Sequence, residues 1–192
     1  YEQKALFAAE LSTQDRAFVY ILYGCGLRRG EALPLTKFDV DLKRHTLTVN
    51  KAIGFVNDKP VPKGPKTDNG YRTIPIPAVV FPVIEAYVKS LKRSQLFVMR
   101  NGQPITKSSY DKMWARIIKA MQAVSEEQIT GLTAHVFRHN YCTNLCYQIP
   151  IISIKKIAEM LGDTERMVME VYNHIVLDKE DAAGAADKAF EM

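Results

Sequence analysis

The stretch TAHVFRHNYCTNL at residues 133–145 contains three basic side chains whose spacing would bring them together on a helix. His135, Arg138 and His139 are spaced i, i+3 and i+4, so they lie on one face of a helix. Thr133 precedes them and has the side chain of a helix cap. Histidines on helices often only bond to neighbouring residues, but so basic a face flanked by aromatic residues is unusual for a core stripe. The stretch therefore predicts a capped helix with a cationic face.

A second cationic stretch, GCGLRRGEAL, occupies residues 24–33 at the end of another predicted helix. Ser12 has the side chain of a cap for that helix, and Gly24 and Gly26 tolerate the left-handed conformation that ends one. The turn that follows presents Arg28 and backbone N–H groups, an arrangement that suits a phosphate oxygen. A solvated arginine pair that caps a short helix is the alternative interpretation.

Three further stretches carry a lysine, a helix-ending turn and a tyrosine. They are KTDNGYRTIPI at 66–76, MLGD at 160–163 and VYNHI at 171–175. Taken alone, a lysine in a turn is usually solvated and a tyrosine in a helix usually packs. Together with two arginines and a histidine, however, they are the groups that attack of tyrosine on a phosphodiester requires. The arginines stabilise charge on the nonbridging oxygens, and the other groups accept and donate the two protons that must move.

The rest of the chain predicts the fold class. Residues 46–49 and 72–77 have the β-branched residues and alternation of strands, while 51–66 holds enough prolines and glycines that it must contain turns. Three short antiparallel strands in one small sheet are the simplest interpretation. Helices are predicted over 79–91, 108–122, 134–147, 153–161, 164–173 and 179–190. The predicted class is α+β, a mainly helical domain with a small three-stranded antiparallel sheet.

Composition narrows the possible classes of protein. A chain of 192 residues with 47% hydrophobic and 24% charged residues suits one globular domain. Its net charge of +5 favours a polyanionic partner without establishing one. Three cysteines form neither a disulfide framework nor a zinc-ligand pattern, so we expect reduced, mostly buried thiols in a cytosolic protein. Because the chain opens with Tyr1 and not Met, we expect a fragment that lacks its N-terminal portion.

In order and local context, the five stretches resemble the tyrosine recombinases, the integrase family of site-specific DNA recombinases. The resemblance runs from Cys25 to His174. It implies that Arg28, which follows a glycine-leucine pair and precedes an acid by three positions, is the first arginine that holds the phosphate. Glu31 is the partner of that arginine. Arg138 lies in a box similar to the family's H-x-L-R-H and is implied to be the second arginine.

The same resemblance distributes the remaining roles. His135 is implied to accept or relay the proton of the nucleophile, and His139 to buttress the site. Lys66 matches the family's hairpin lysine, which protonates the leaving 5′ oxygen, with Lys63 as a weaker candidate. Tyr172 lies 34 residues after Arg138 and nine after the residue that follows the Leu-Gly pair. The family's nucleophile has the same nine-residue spacing, so Tyr172 is implied to be the nucleophile.

One position of the family's active site carries an unexpected residue. Asp163 stands where the family usually has a histidine, or sometimes a tryptophan, that donates a hydrogen bond to the phosphate. An ionised carboxylate only accepts hydrogen bonds and repels a phosphate unless it is protonated, paired or turned away. We therefore expect Asp163 to cap the helix that bears Tyr172, with His174 as an alternative donor. We expect Arg72 to belong to its strand or to contact backbone.

The resemblance implies an enzyme that cleaves and rejoins DNA strands through a 3′-phosphotyrosine intermediate and needs neither metal nor cofactor. The long hairpin at 51–70 and the VYNHI ending are most similar to integrases of conjugative transposons. Expected partners are double-stranded DNA, three further copies in a synaptic tetramer, and an accessory directionality factor, with a monomer when alone. The whole of 1–192 is expected to be the catalytic domain, without the N-terminal DNA-binding domains, in the cytoplasm of a bacterium at the nucleoid.

Three alternatives remain open from the sequence. Residues 153–174 also resemble a helix-turn-helix, which would make the protein a noncatalytic DNA-binding regulator. The exposed face of its second helix is acidic and apolar, however, which does not suit a DNA groove. A type IB topoisomerase shares the expected chemistry. The predicted helix at 179–190 either packs on its own domain or is exchanged with a neighbouring copy.

Overall fold

The computed structural model describes residues 2–64 and 70–176, and it confirms a mainly helical chain with small antiparallel sheets. The described residues divide after Tyr141 into two compact units. The helices are α1 Glu2–Ala8, α2 Thr13–Cys25, α3 Arg29–Ala32, α4 Phe81–Ser90, α5 Lys107–Gln122, α6 Ala134–Cys146, α7 Ile154–Leu161 and α8 Glu165–Val176, with a 3₁₀ turn at Lys37–Asp39. The strands are β1 Val40–Asp41, β2 Thr46–Val49, β3 Ala52–Val56, β4 Lys59–Lys63 and β5 Arg72–Pro75.

Helix α2 is the centre of the first unit. Phe18, Ile21 and Leu22 recur at helical spacing and are fully buried, and each such side chain contributes roughly 1.5–3 kcal/mol relative to leaving it exposed. The side chain of Ser12 accepts a hydrogen bond from the third residue of the helix, as predicted. Gly26 ends the helix in the left-handed conformation with φ 63°, which glycine adopts without strain.

The predicted three-stranded sheet is present, in the order β1-β2-β5 and antiparallel throughout. Leu47 pairs with Ile74, and both are fully buried on the face that packs on the helices. Alternate residues such as Thr48 and Thr73 are less buried and exchange a hydroxyl hydrogen bond of 3.1 Å. The alternation that predicted these strands therefore reports the buried face correctly.

The described residues of 51–66 belong to the long hairpin that the sequence predicts over 51–70, and they form two strands as well as a turn. Strands β3 and β4 form a separate two-stranded hairpin in which Pro60 pairs with Phe55 and Pro62 with Ile53. The two prolines are two residues apart, so the N–H groups that they lack belong to the same edge of β4. Proline is tolerated at such an edge, where the strand has no partner to bond. Within residues 51–64, the tip of the hairpin is a turn formed by two residues with positive φ.

The second unit contains a helix pair. Helix α7 is capped by Ser153, whose side chain accepts from the Lys156 N–H at 3.1 Å, and it ends at Gly162 with φ 63°. Leu161 from α7 and Val168 from α8 are buried. The helix predicted over 179–190 lies outside the described residues.

The three cysteines are all among the described residues; they are free thiols and all are buried, as predicted. Burial raises the pKa of Cys25 to about 12, so this thiol stays protonated at physiological pH. Within the described part of the chain, no helix combines the length and the apolar character that a membrane crossing needs.

Candidate active site

A carboxylate shared by two arginines organises the turn between α2 and α3. Glu31 accepts from the backbone N–H of Arg28 at 2.9 Å and from its guanidinium at 3.0 Å. The same carboxylate accepts from two nitrogens of Arg72 at 2.8 and 3.2 Å, a two-point contact. The Arg28 side chain is 44% exposed while that of Glu31 is 8% exposed, so the network holds Arg28 from behind and leaves it open to solvent.

Arg72 has a role in this network that the sequence does not predict. It was expected to belong to its strand or to contact backbone, and it does lie in β5, but its guanidinium binds a side chain. The alternation of a strand explains the direction of its side chain. Ile74 and Ile76 are buried, so Arg72, two positions before Ile74, points to the same face. Its side chain is only 5% exposed and is paired with the buried acid from α3.

The charge state of Glu31 follows from these contacts. Burial alone raises the pKa of its carboxyl group, but the hydrogen bonds and charge of Arg72, followed by those of Arg28, outweigh burial and leave the pKa below its ordinary value. Glu31 therefore remains ionised in the folded protein at neutral pH. One buried negative charge is therefore shared between the two positive charges of Arg28 and Arg72.

Glu31→Gln is expected to destabilise the first unit by ~3 kcal/mol, because it removes the negative charge that accepts two hydrogen bonds from the buried Arg72. Urea unfolding at pH 7 measures the loss. Since the folded pKa of Glu31 is depressed, its contribution is complete above the ordinary glutamate pKa and is lost as pH falls through the folded value. The difference between the two proteins should therefore shrink only below about pH 4.

Glu85→Gln is the matched control, because Glu85 pairs with Lys89 at 2.7 Å on the surface of α4. An exposed pair of this kind contributes roughly 0–1 kcal/mol. A loss for Glu31→Gln that is no larger than the loss for Glu85→Gln would contradict a structural role for the shared carboxylate.

The second predicted arginine meets the same turn from α6. Arg138 is 5% exposed, and its guanidinium donates to the carbonyl oxygen of Gly26 at 3.0 Å. Gly26 and Arg28 are two residues apart, so their Cα atoms are separated by at most about 7 Å. The structure thus brings Arg28, Glu31 and Arg138 together around one turn. Leu27, which lies between Gly26 and Arg28, is fully buried and helps to fix the turn.

The residue whose carbonyl oxygen accepts from Arg138 must be a glycine. Gly26 has positive φ, and an added Cβ there would collide with the ring of Tyr141, which packs directly against the backbone. Burial raises the pKa of the Tyr141 hydroxyl well above its ordinary value. The cationic helix therefore docks on the end of α2 through a backbone contact and a hydrogen bond from its buried arginine.

The two histidines of α6 differ from Arg138 in exposure. His135 and His139 are both exposed, while Arg138 on the same helix is buried. Thr133 caps the helix as predicted, since its side chain accepts from the Val136 N–H at 3.3 Å. Both imidazoles are therefore accessible to a ligand that approaches this unit.

Of the two predicted lysines, the structure describes Lys63. Lys63 ends β4 and is exposed, with its aliphatic chain lying over Gly54 of the opposite strand. Lys66 lies outside the described residues. Across residues 2–64 and 70–176, no three acidic, histidine or cysteine side chains are grouped as a metal site would need.

The second unit carries Tyr172, Asp163 and His174. Tyr172 is half-buried in α8, and His174 is exposed near the end of the same helix. The prediction that Asp163 caps α8 is wrong. Thr164 does so, because its hydroxyl accepts from the Met167 N–H at 3.3 Å. The Asp163 carboxylate lies one residue earlier and accepts from the neighbouring Thr164 N–H at 3.1 Å.

The chain is similar in sequence and in fold to known proteins. The profile of the phage integrase family matches residues 2–178. The tyrosine recombinase XerC-like protein of Caldanaerobacter subterraneus subsp. tengcongensis is 24% identical over 186 residues, which cover 84% of this chain and 46% of that protein. The transposase from transposon Tn916 of Enterococcus faecalis is 25% identical over 92% of this chain and 47% of that protein.

A solved structure of the Tn1549 transposon integrase in complex with transposon right-end DNA superimposes with a TM-score of 0.80 at 23% identity. The match covers 98% of this chain and 64% of that one. The chain spans about half the length of the curated relatives that it matches. The family profile extends over nearly all of the described residues, and this chain belongs to the phage integrase family.

Proposed function

We propose that this chain is the catalytic domain of a site-specific DNA recombinase that integrates or excises a mobile element. The observation that carries the proposal is the turn at residues 26–28, where Arg28 pairs with the buried Glu31 carboxylate and Arg138 donates to the Gly26 carbonyl oxygen. A cationic turn with an exposed guanidinium suits a phosphodiester, whose nonbridging oxygens gain charge during cleavage. Membership of the phage integrase family supports the same reaction.

The proposed reaction begins with attack of the Tyr172 hydroxyl oxygen on phosphorus. The bond from phosphorus to the 5′ oxygen breaks, and a 3′-phosphotyrosine forms. His135 accepts the phenol proton, directly or through a relay, and Lys66 gives a proton to the departing 5′ oxygen. A 5′ hydroxyl of a partner strand then attacks the phosphotyrosine, and the same groups act in reverse. The covalent bond conserves the energy of the broken one, so the strands rejoin without a nucleotide cofactor.

Arg28 and Arg138 have complementary parts in this proposal. Arg28 is exposed enough to reach a phosphate, and its shared carboxylate fixes the direction of its guanidinium. Arg138 is buried and fixes the turn through the Gly26 carbonyl while its charge strengthens the field there. Glu31 orients Arg28, and His139 supports the exposed face of α6. Arg72 neutralises Glu31, so that the acid does not cancel the charge that Arg28 brings to the phosphate.

The substrate is proposed to be double-stranded DNA, as in the Tn1549 integrase complexes with transposon-end and circular-intermediate DNA. Because the chain covers only about half of its curated relatives, the rest of such a protein would supply the remaining DNA contacts. We propose a monomer that assembles as a homotetramer when two DNA sites are brought together, with an accessory protein that sets direction. The reaction would take place at the nucleoid, in the cytoplasm of a bacterium.

A nicked suicide substrate tests the proposal directly. When cleavage releases a short strand that diffuses away, the reverse reaction is lost and the covalent intermediate accumulates. Incubation with the chain, or with its full-length parent, should give a DNA adduct that survives SDS. A noncatalytic helix-turn-helix regulator would retard the same DNA without any adduct, and a type IB topoisomerase would relax supercoiled DNA without requiring a specific site.

If Lys66 is the general acid, Lys66→Ala should cleave normal DNA about 10²-fold more slowly than the wild-type protein. A substrate with sulfur in place of the bridging 5′ oxygen has a leaving group that needs no proton. Cleavage of that substrate should therefore be almost restored, as measured by single-turnover adduct formation. Equal defects on both substrates would show that Lys66 only binds DNA, and Lys63→Ala would be the next variant to measure.

Asp163→Asn should retain cleavage to within about tenfold. The amide oxygen can replace the carboxylate as acceptor for the Thr164 N–H, and Thr164 itself caps α8. Asp163→His is expected to cleave at least as fast, since it restores a phosphate donor at this position. Adduct formation measures both variants. If the asparagine variant folds and binds DNA but does not cleave, the carboxylate has a direct part in the chemistry.

A further inference from the structure

The β3–β4 hairpin would be a weak element by itself. A two-stranded hairpin is at best marginally stable in water, and four of the five residues of β4 are exposed. The lysine candidates for the leaving-group proton lie at the end of this hairpin or just beyond it. A general acid must come within hydrogen-bond distance of its oxygen, and a misplacement of about 1 Å can cost 10²-fold in rate. The contacts that hold the hairpin in place should therefore affect the rate of proton transfer to the leaving oxygen.

The first contact that fixes it lies next to the arginine turn. Gly30, two residues after Arg28, packs so closely on β3 that an added Cβ would collide with the carbonyl oxygen of Ile53. Only glycine permits such an approach between two backbones. The base of the hairpin is thereby held against α3.

The second contact is an arginine between two aromatic rings. The guanidinium carbon of Arg29 lies 5.5 Å from the ring centre of Phe55 in β3 and 4.9 Å from that of Tyr110 in α5. Both distances are within the range of a cation–π interaction. Arg29 thus bridges the middle of the hairpin to a long helix. The proposed chemistry assigns no part to Arg29, although it directly follows Arg28.

The third contact fixes the tip. Asn57 and Asp58 form the hairpin turn with positive φ of 46° and 67°. The Asp58 carboxylate accepts from the Ser108 N–H at 2.6 Å and from its hydroxyl at 2.8 Å. The Lys107 N–H donates to the Asp58 carbonyl oxygen at 3.0 Å. The start of α5, a helix of 16 residues, is therefore bonded to the tip at three points.

We propose that Asp58 and Arg29 are positioning residues for the protonation of the leaving 5′ oxygen. They hold the hairpin on α5 and α3 before DNA arrives, so that its lysine is placed relative to the phosphate held by Arg28. This inference rests on the proposed function. It predicts a defect confined to the proton-transfer step, which a loss of general stability or of DNA affinity would not produce.

The test compares cleavage of normal DNA with cleavage of the 5′-bridging phosphorothioate, using the full-length parent and single-turnover adduct formation. Asp58→Gly removes the carboxylate but keeps the left-handed backbone without strain. It should cleave normal DNA roughly 10–100-fold more slowly and the sulfur substrate almost as fast as the wild-type protein. Asp58→Asn keeps an acceptor and tolerates positive φ, so it should recover most of the rate on normal DNA. Arg29→Met should show the same sulfur rescue as Asp58→Gly.

The failure of this inference is distinguishable from the failure of the proposed function. Equal defects of Asp58→Gly on both substrates, or wild-type rates on both, would overturn the positioning role. Loss of the adduct in the wild-type protein would overturn the proposed function instead. If Asp58→Gly is rescued by sulfur while Lys66→Ala is not, the positioning role stands and Lys63 becomes the acid. Urea unfolding of each variant confirms that the fold is unchanged.

Discussion

Tyr172→Phe is expected to bind DNA with unchanged affinity and to form no covalent adduct with it. The substitution removes one oxygen atom, and without that oxygen there is no nucleophile to attack phosphorus. The ring remains, so the half-buried packing of α8 should be preserved. SDS electrophoresis of the products from a nicked substrate measures the adduct, and a mobility shift measures binding. This is the largest effect expected of any single substitution, because it abolishes the reaction and does not merely slow it.

Tyr147→Phe is the matched control for this experiment. Tyr147 lies in the same unit and is 55% exposed, yet it should be irrelevant to the adduct. Other tyrosines are poorer candidates on physical grounds, since burial raises the pKa of Tyr110 to about 12 and also raises that of Tyr141. An adduct formed by Tyr172→Phe, or peptide mapping that finds DNA on another tyrosine, would remove Tyr172 from the mechanism.

Arg28→Lys and Arg138→Lys are each expected to slow cleavage by about 10²-fold or more, the usual cost of losing one group that stabilises a developing oxyanion. Lysine keeps the charge but lacks the planar fork with which a guanidinium bonds two oxygens. In Arg28→Lys the bond to Glu31 would also change, so the remaining cation would be less well directed. Single-turnover adduct formation measures the rate, and DNA affinity measured at a fixed salt concentration separates binding from chemistry.

Arg44→Lys provides the comparison for these variants. Arg44 is 83% exposed and only weakly paired with Asp41 at 4.0 Å, so its replacement should leave the rate unchanged. Arg138→Lys also tests folding, because Arg138 holds the Gly26 carbonyl from a buried position. Unfolding midpoints therefore accompany the rates. Wild-type cleavage by a well-folded Arg28→Lys variant would show that Arg28 does not act on the phosphate.

Local signals predicted most of the helices and the sheet. Capping residues such as Ser12, Thr133 and Ser153 act within one turn of the chain, so their roles are readable from a short window. Gly26 and Gly162 ended helices for the same local reason. Element type is predictable in such cases because the deciding interaction joins residues three or four positions apart.

The sequence was less informative where long-range pairing outweighs local preference. Prolines indicated turns in 51–66, but the register with β3 leaves their missing N–H groups on an unpaired edge. Asp163 was a reasonable cap by type, yet the start of α8 falls one residue later and gives that place to Thr164. Such a shift is smaller than the accuracy with which helix ends can be predicted.

In the candidate site, too, short-range contacts could be predicted from the sequence and long-range contacts could not. The Arg28–Glu31 contact spans three residues and was predicted, whereas the contact of Arg72 with Glu31 joins residues 41 apart and was not. The inward direction of Arg72 was implied by its strand alternation, but its partner depends on how β5 lies against α3. The roles of His135, Lys66 and Tyr172 remain predictions, since they rest on the family resemblance.

The shared carboxylate has a consequence for protein synthesis. Glu31 leaves the ribosome well before Arg72, and a nascent chain that stops between them contains Arg28 and Glu31 but lacks the second cation. In that truncated chain the acid would compete with DNA for the guanidinium of Arg28. The strand that completes the sheet thus also releases Arg28 for phosphate, and premature termination products should bind nucleic acid poorly through this turn. Access of a phosphate to this turn would in this way depend on the completion of translation.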